Sequence, residues 1–241
     1  MAKKPLTLAA LILPMLSSTF VVADETSDIG FNFDIGYDSK YVSEGRNNLE
    51  DGGIAWGAAS VSQGDFTAYA ALGRGTSEHY IEWQFGVEYA PQIHQDFDTV
   101  VGYQRLEFYG DERASDNEVF ASIVYTGNQW IEPGVHYTYA TEAGGYFVEV
   151  SLHHHWQVND ALVVSPYAIQ GFDFQYATEE YDGANHFQFG VEASYQINDT
   201  YAISGHISHS IAQEDIKREN QGSEQSNFDE TFAGLYFNFA F

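Results

Sequence analysis

Acidic residues recur at alternate positions in several stretches of the sequence, with apolar residues between them. Glu82 and Glu88 share one such stretch, and Glu192 lies in another of similar pattern. Because side chains alternate between the two faces of a β-strand, this spacing predicts carboxylates on one face and apolar groups on the other. A pore lined by carboxylates attracts cations and repels anions. The predicted pore-lining residues are Asp34, Lys40, Glu82, Glu88, Glu118, Glu132, Glu149, Glu192 and Glu230, with Arg105 as a further basic candidate.

The densest histidine cluster runs from His153 to His155. On a strand, His153 and His155 share a face with Glu149, and two histidines with a carboxylate form half of a Zn²⁺ or Cu²⁺ site. The alternative is that these histidines line the same interior face or its rim, since no further ligands follow at a motif spacing. The sequence therefore predicts no bound metal or cofactor and leaves His153 and His155 as the candidate ligands.

Hydrolytic chemistry would need a nucleophile and a base within hydrogen-bond reach. Ser208 and His209 are neighbours in sequence, but consecutive side chains on a strand point to opposite faces. Asp182 and His186 fall near one rim of the predicted fold, where loop acids are plentiful. We therefore expect that the protein is not an enzyme.

The elements that must position these residues are short segments of alternating hydrophobicity. An even number of antiparallel strands can close into a transmembrane barrel that leaves no unpaired edge. A change of phase near Gly171 predicts a β-bulge in one strand. About twelve strands are predicted, at 30–42, 53–61, 65–74, 79–90, 96–108, 117–126, 129–140, 146–156, 161–176, 185–196, 200–211 and 228–241.

The connections between these segments alternate in length. Tight turns such as 62–64 and 127–128 alternate with longer, charged loops such as 43–52 and 212–227. Bacterial barrels have short periplasmic turns and longer outer loops. The pattern predicts an all-β, up-and-down antiparallel barrel with both termini in the periplasm.

Both ends of the chain favour the bacterial outer membrane. The last segment alternates up to Phe241, and a terminal aromatic on such a strand resembles the signal that the outer-membrane assembly machinery reads. At the other end, Lys3 and Lys4 precede an apolar stretch and a small-residue cleavage site at Ala23, the pattern of a secretory signal peptide. The predicted domains are a cleaved signal peptide, 1–23, and an outer-membrane barrel, 24–241.

Composition limits the partners. The chain has 35 Asp and Glu residues, and loss of Lys3 and Lys4 would leave seven of its nine Lys and Arg residues. This balance excludes nucleic acid as a partner, and the absence of Cys excludes disulfides. The predicted partners are outer-membrane lipids and lipopolysaccharide, the barrel assembly machinery, and small hydrophilic solutes around a Gram-negative bacterium.

The N-terminal third of the barrel region carries a family resemblance. The run from Tyr37 to Val42, followed by Gly45 and Arg46, resembles the TorF family of outer-membrane porins. The Gly52-Gly53-Ile54 strand start, the hairpin at 62–66 and the strand at 81–89 extend the likeness. In that family an Arg usually precedes the glycine, whereas Glu44 precedes Gly45 here. The resemblance implies a barrel with a porin role.

Two functions fit these patterns. The first is an outer-membrane, porin-like channel for passive diffusion of small hydrophilic solutes, with a preference for cations. The second is a non-conducting structural or surface-binding barrel whose acidic loops bind divalent cations. Barrels of about eight strands are filled by side chains and those of about sixteen to eighteen hold water, so a twelve-stranded barrel permits both functions.

Overall fold

The computed structural model describes residues 29–110, 113–128, 130–178, 181–223, 225 and 227–241. The predicted signal peptide, 1–23, lies outside the described residues. The elements in chain order are β1 (Gly30–Asp38), β2 (Val42–Ser43), β3 (Arg46–Asn47), β4 (Ile54–Gln63), β5 (Phe66–Gly75), β6 (Ile81–Tyr89), β7 (Phe97–Tyr109), β8 (Arg113–Tyr125), β9 (Glu132–Ala140), β10 (Tyr146–His153), β11 (Trp156–Gln157), β12 (Leu162–Phe174), β13 (Asp182–Gln196), β14 (Tyr201–Ala212), α1 (Glu214–Glu219) and β15 (Glu230–Ala240).

Twelve of these strands form one closed antiparallel barrel, which confirms the predicted fold and strand number. Each barrel strand pairs with its neighbour in the chain, and β1 pairs with β15 to close the barrel. The short strand β11 continues the course of β10 along β12. Strands β2 and β3 form a separate hairpin inside the first long loop. The predicted bulge is confirmed, because the β12–β13 register shifts between Gly171 and Phe172.

The alternation of residue types sorts side chains between the inside and the outside of the barrel. On β6, Glu82 and Gln84 are buried inside, whereas Phe85 and Val87 are about half exposed on the outside. The outer surface carries many more exposed apolar side chains on other strands. Apolar groups facing outward and polar groups facing inward reverse the pattern of a water-surrounded protein, and they suit a barrel surrounded by lipid.

The two ends of the barrel differ in their connections. The end that holds both chain termini has short turns such as 64–65, and we call it the turn end. The opposite end has the loops 39–53 and 213–229, and we call it the long-loop end. Helix α1 in the second of these loops was not predicted from the sequence, although its first-turn acids and last-turn bases favour a helix. In the described part of the chain, no helix is long and apolar enough to cross a membrane.

Two apolar clusters lie at the long-loop end. One consists of Tyr41, Leu49, Ile54, Trp56 and Tyr236, and the other of Leu106, Phe108, Ala140, Phe147 and Tyr176. Each cluster combines inward-facing strand residues with residues of a loop that folds over or into the barrel. Buried aromatic contacts of this kind hold loops in fixed positions. The long-loop end is therefore built from packed loops and strands together.

Candidate functional site: the lumen and the loop that crosses it

The first long loop, residues 39–53, folds into the barrel; we call it L1. Its strands β2 and β3 are joined by Glu44 and Gly45, which both have positive φ, at 44° and 75°. Two consecutive positive φ values define a type I′ hairpin turn, for which glycine is favoured at the second position. Gly45 is also required by a close approach, because a Cβ atom there would lie 2.6 Å from His186 Cβ. The tip of the L1 hairpin thus rests against β13.

One side of L1 is anchored to β6. The Tyr41 hydroxyl donates to Glu82 Oε2 at 2.5 Å, and the Tyr80 hydroxyl donates to the same oxygen at 2.6 Å. The Gln84 amide donates to the other oxygen, Glu82 Oε1, at 2.7 Å. Tyr41 is fully buried and packs edge-on against Trp56, with ring centroids 5.7 Å apart. This side of the loop combines charge-assisted hydrogen bonds with aromatic packing.

The other side of L1 is anchored by Arg46. Its guanidinium contacts Asp215 Oδ2 on α1 at 3.0 Å and Glu219 Oε2 at 2.9 Å. It also donates to Asn185 Oδ1 on β13 at 2.7 Å, and the Asn185 amide donates back to the Glu44 carbonyl at 2.7 Å. The planar guanidinium can satisfy several acceptors at once, which a lysine could not do in the same geometry. Arg46 therefore ties the hairpin tip to β13 and to the last long loop.

The two anchors lie on opposite walls. Strands β6 and β13 are six strand positions apart around a barrel of twelve. Since L1 contacts Glu82 on β6 and Asn185 on β13, it spans the full width of the barrel. L1 thus crosses the lumen from one wall to the opposite wall.

A titratable carboxyl group, that of Glu44, lies at the tip of this crossing. Burial raises the pKa of the Glu44 carboxyl well above its usual value, although a hydrogen bond from Ser43 opposes the rise. The carboxylates of Glu149 and Glu118 raise the pKa further by repulsion, and Arg46 lowers it. On α1, burial raises the pKa of the Asp215 carboxyl in the same direction. Both shifts arise where L1 meets the wall.

Beyond L1, a cavity of about 790 Å³ extends toward the turn end. Its lining runs from Val42 and Ser43 of L1 to Gln157 and Gln196 near the turns. Tyr69, Phe120 and Tyr167 add aromatic surface. Seven carboxylates line the cavity, and among the described lining residues they face one lysine, Lys40. The carboxylates are those of Asp38, Glu44, Glu88, Glu132, Glu149, Asp160 and Glu192.

The residues predicted to line a pore fall into three groups. Lys40, Glu88, Glu132, Glu149 and Glu192 border the cavity. Glu82 and Glu118 also face inward, but they are fully buried in hydrogen bonds at the long-loop end. Asp34 and Glu230 are half-buried. Asp34 accepts a hydrogen bond from Asn238 at 2.6 Å, and Glu230 forms an ion pair with Lys40 at 2.6 Å.

The structure contradicts the assignment of Arg105 to the interior of the barrel. This residue lies on the outer face of β7, in phase with the exposed Val101 and Tyr103, and pairs with Glu107 at 2.7 Å. The buried Gln104 and Leu106 occupy the inner face instead. The prediction was wrong because the alternation on β7 includes polar residues on both faces, which left its phase ambiguous.

The candidate metal ligands border the cavity without forming a cluster. The rings of His153 and His155 stack with centroids 6.2 Å apart. His155 Nε2 lies 3.2 Å from Glu132 Oε2, and His155 Nδ1 lies 2.7 Å from Ser165 Oγ. Within the described ranges, no group of three or more His, Asp or Glu side chains could hold a metal ion. The described contacts of His155 are those of a hydrogen-bonded lining residue.

A second histidine network joins Asp38 of β1 to His206 and Ser208 of β14. His206 Nε2 lies 2.9 Å from Asp38 Oδ1, and His206 Nδ1 lies 3.0 Å from Ser208 Oγ. This is the order of groups in a serine hydrolase, but Ser208 is 1% exposed and its Oγ is covered by the Tyr167 hydroxyl at 2.6 Å. The neighbouring His209 lies on the outer face beside Thr231. The described Ser208 hydroxyl is therefore hydrogen-bonded and almost fully buried in this arrangement.

The site residues missed by the sequence analysis are those that hold L1. Arg46, Asn185 and Asp215 lie between 30 and 169 positions apart in the chain, so no local spacing connects them. The only local signal was Glu44-Gly45 between two short polar segments, which is a two-residue hairpin turn.

No family model matches this chain, and no curated protein matches it. Among solved structures, the chain is similar to the KdgM porin, with a TM-score of 0.60 and 8% identity over 87% of this chain and 99% of that chain. It is also similar to an outer-membrane channel from Pseudomonas putida F1, with a TM-score of 0.53 and 8% identity over 91% and 97% of the two chains. The NanC porin gives a TM-score of 0.50 and 12% identity over 87% and 98%. Membership of the TorF family stays a prediction, and the likeness at these identities concerns the fold: this chain has the barrel fold that outer-membrane porins and channels also have.

Proposed function

We propose that the protein is an outer-membrane channel for passive diffusion of small hydrophilic solutes, with a preference for cations. The observation that carries the proposal is the cavity inside the barrel, whose described lining has seven acidic side chains and one lysine. That lysine, Lys40, is itself paired with Glu230 at 2.6 Å, so its charge is largely offset. A lumen of this charge lowers the energy of a cation and raises that of an anion.

In this proposal, L1 limits the size of the solutes that can pass through the lumen. The loop crosses the lumen between Glu82 and Asn185, so a solute has to pass beside it. A hydrated small ion or a small polar molecule needs less room than an extended polymer. We therefore expect exclusion of large solutes, and we place the selectivity between L1 and the Glu88, Glu149 and Glu192 side chains.

The negative charge of the lumen disfavours anionic oligosaccharides as solutes. A KdgM porin structure is described as a complex with disordered oligogalacturonate, an oligosaccharide that carries carboxylates. In this chain, the carboxylates of Glu88, Glu132 and Glu192 along the cavity would repel such an anion. We therefore propose that the two proteins differ in solute charge.

The rival function is a non-conducting barrel with a structural or surface-binding role. One observation favours it: L1 is bonded to both walls, by Tyr41 on one side and Arg46 on the other, and the long-loop end is tightly packed. The rival needs no passage through the lumen, so it predicts no ion current under any condition.

Reconstitution into planar bilayers tests the two functions. The refolded wild-type barrel and the variant Arg46→Ala, which removes one of the two anchors of L1, are compared at the same protein amount. Discrete current steps in the wild type support the channel. Steps in the variant alone support a channel that L1 closes. Silence in both, with heat-modifiable folded barrel verified on gels, contradicts the channel and favours the rival.

A further inference from the structure

The outer surface of the barrel carries basic side chains in one region near the long-loop end. The strand register aligns Arg74 of β5 with Ile81 of β6, Ile81 with Tyr109 of β7, and Tyr109 with Arg113 of β8. These four residues form one row across four adjacent strands, with an arginine at each end. Neighbouring strands are about 4.8 Å apart, so the two arginines stand roughly 14 Å from each other.

A third arginine completes the region. Arg105 lies on the outer face of β7, four residues from Tyr109 toward the turn end, between Phe85 on β6 and Asn117 on β8. Glu107 pairs with it at 2.7 Å, and the Tyr103 hydroxyl donates to Asn117 Oδ1 at 2.6 Å. Basic and polar groups on β5, β7 and β8 therefore lie among the apolar and aromatic side chains Ile81, Phe85 and Tyr109 on this outer face. We call Arg74, Arg105 and Arg113 the basic patch.

The basic patch is unusual for this chain. Residues 24–241 contain seven bases against 35 acids, and three of the seven lie in the patch. On β9, β10 and β12, by contrast, the outer surface near the long-loop end is aromatic. Tyr146 stacks on Tyr137 with centroids 5.5 Å apart and on Phe174 at 4.6 Å.

The patch lies at the border between lipid and water. The next outward rows toward the turn end are apolar, with Val87, Tyr103 and Val119 in one of them. A charged side chain on the lipid face is tolerated near an interface and unfavourable at the midplane. Arginine also extends its charged end toward the headgroups from an apolar stem. In an outer membrane, lipid headgroups at such an interface would lie within reach of Arg74 and Arg113.

We propose that the basic patch binds the phosphate groups of a phosphorylated saccharolipid in the outer leaflet, of the lipid A type. Arginine pairs with phosphate through two parallel N–H donors, which gives it an advantage over lysine at such sites. The distance between Arg74 and Arg113 lets two phosphates of one headgroup be held together, with Arg105 below them. This proposal places the long-loop end in the outer leaflet, and it does not depend on whether the lumen conducts.

The test uses full-length folded barrel in detergent and three lipid probes: bisphosphorylated lipid A, the same lipid without phosphates, and phosphatidylglycerol. Native mass spectrometry counts bound lipids and gives relative affinities. The variant R74Q/R113Q removes two patch charges. The matched control K217Q/R218Q removes two charges from α1, which also lies at the long-loop end.

We expect wild-type barrel to prefer bisphosphorylated lipid A over both other probes. R74Q/R113Q should weaken that binding roughly fivefold or more, since two exposed ion pairs are lost. K217Q/R218Q should leave it within about twofold, and adding R105Q should weaken it further. Equal binding of the phosphate-free lipid or of phosphatidylglycerol overturns the proposal, as does an equal loss in the control. Heat-modifiability of each variant verifies folding, and bilayer conductance, measured separately, tests the channel alone.

Discussion

Replacement of Arg46 by alanine should release the tip of L1 from the barrel wall. The Arg46 side chain is 9% exposed and contacts Asp215 and Glu219, while its other nitrogen donates to Asn185. Removing one partner of a buried ion pair costs about 3–5 kcal/mol, because the remaining charge stays buried without compensation. Asp215 is 1% exposed, but its raised pKa lets it take up a proton, so the lower end of this range applies.

The size of the effect follows from that cost. A loss of about 3 kcal/mol changes the docking equilibrium of the tip by roughly a hundredfold. The Tyr41 anchor on β6 remains, so we expect partial displacement of L1 and not its complete removal. In single-channel recordings, Arg46→Ala should show a larger mean conductance with frequent transitions between levels.

A matched control is Arg218→Ala. Arg218 pairs with Glu214 at 3.1 Å across one helical turn, and both side chains are well exposed. Such exposed pairs contribute about 0.3–0.5 kcal/mol. Single-channel recordings of this control should therefore match those of the wild type in conductance and in the frequency of transitions. If Arg46→Ala also records like the wild type, with the same conductance levels and thermal midpoint, then Arg46 does not hold a constriction and the reasoning on L1 fails.

Three further predictions follow from the fold and the loop. A cysteine at Ser223 should react with an impermeant maleimide on whole cells, and one at Asn128 should not; the reverse labelling would contradict the orientation. Deletion of Phe241, whose backbone pairs with Phe31 in both directions, should reduce heat-modifiable barrel in the outer membrane and lead to periplasmic degradation, and wild-type levels on gels would count against an assembly role. Because the Glu44 pKa is raised in the docked loop, docking is strongest below the usual glutamate pKa and weakens as pH rises through the raised value. Level transitions should therefore be more frequent at about pH 8.5 than at about pH 5, and Glu44→Gln should lose most of this dependence; a dependence unchanged in that variant would assign it to other groups.

The barrel could be predicted from the sequence because its determinants are local. Apolar and polar residues alternate within single strands such as Ile81–Tyr89, and each strand pairs with its chain neighbour. The bulge at Gly171 was visible for the same reason, as a break in one alternation. Local periodicity and nearest-neighbour pairing together specify such a fold.

The crossing loop could not be predicted in this way. Its contacts join Arg46 to Asp215 and Tyr41 to Glu82, over separations of 169 and 41 residues. Glu82 and Glu118 have the same strand phase as the cavity acids, yet loop tyrosines cover them. Strand phase tells which side chains face inward, and it does not tell which of them a folded loop will bury.

The reversal potential in a salt gradient tests the central claim most directly, since it reports the charge of the conducting path. We predict cation selectivity for the wild type, fading as salt rises because the Debye length is about 10 Å at 0.1 M. The variant E88Q/E149Q/E192Q should lose much of this selectivity, since three cavity charges disappear with little change in volume. The control D65N/E142Q/D182N removes three exposed charges outside the cavity and should keep it. Anion selectivity in the wild type, or equal shifts in the two variants, would contradict a cation-preferring lumen.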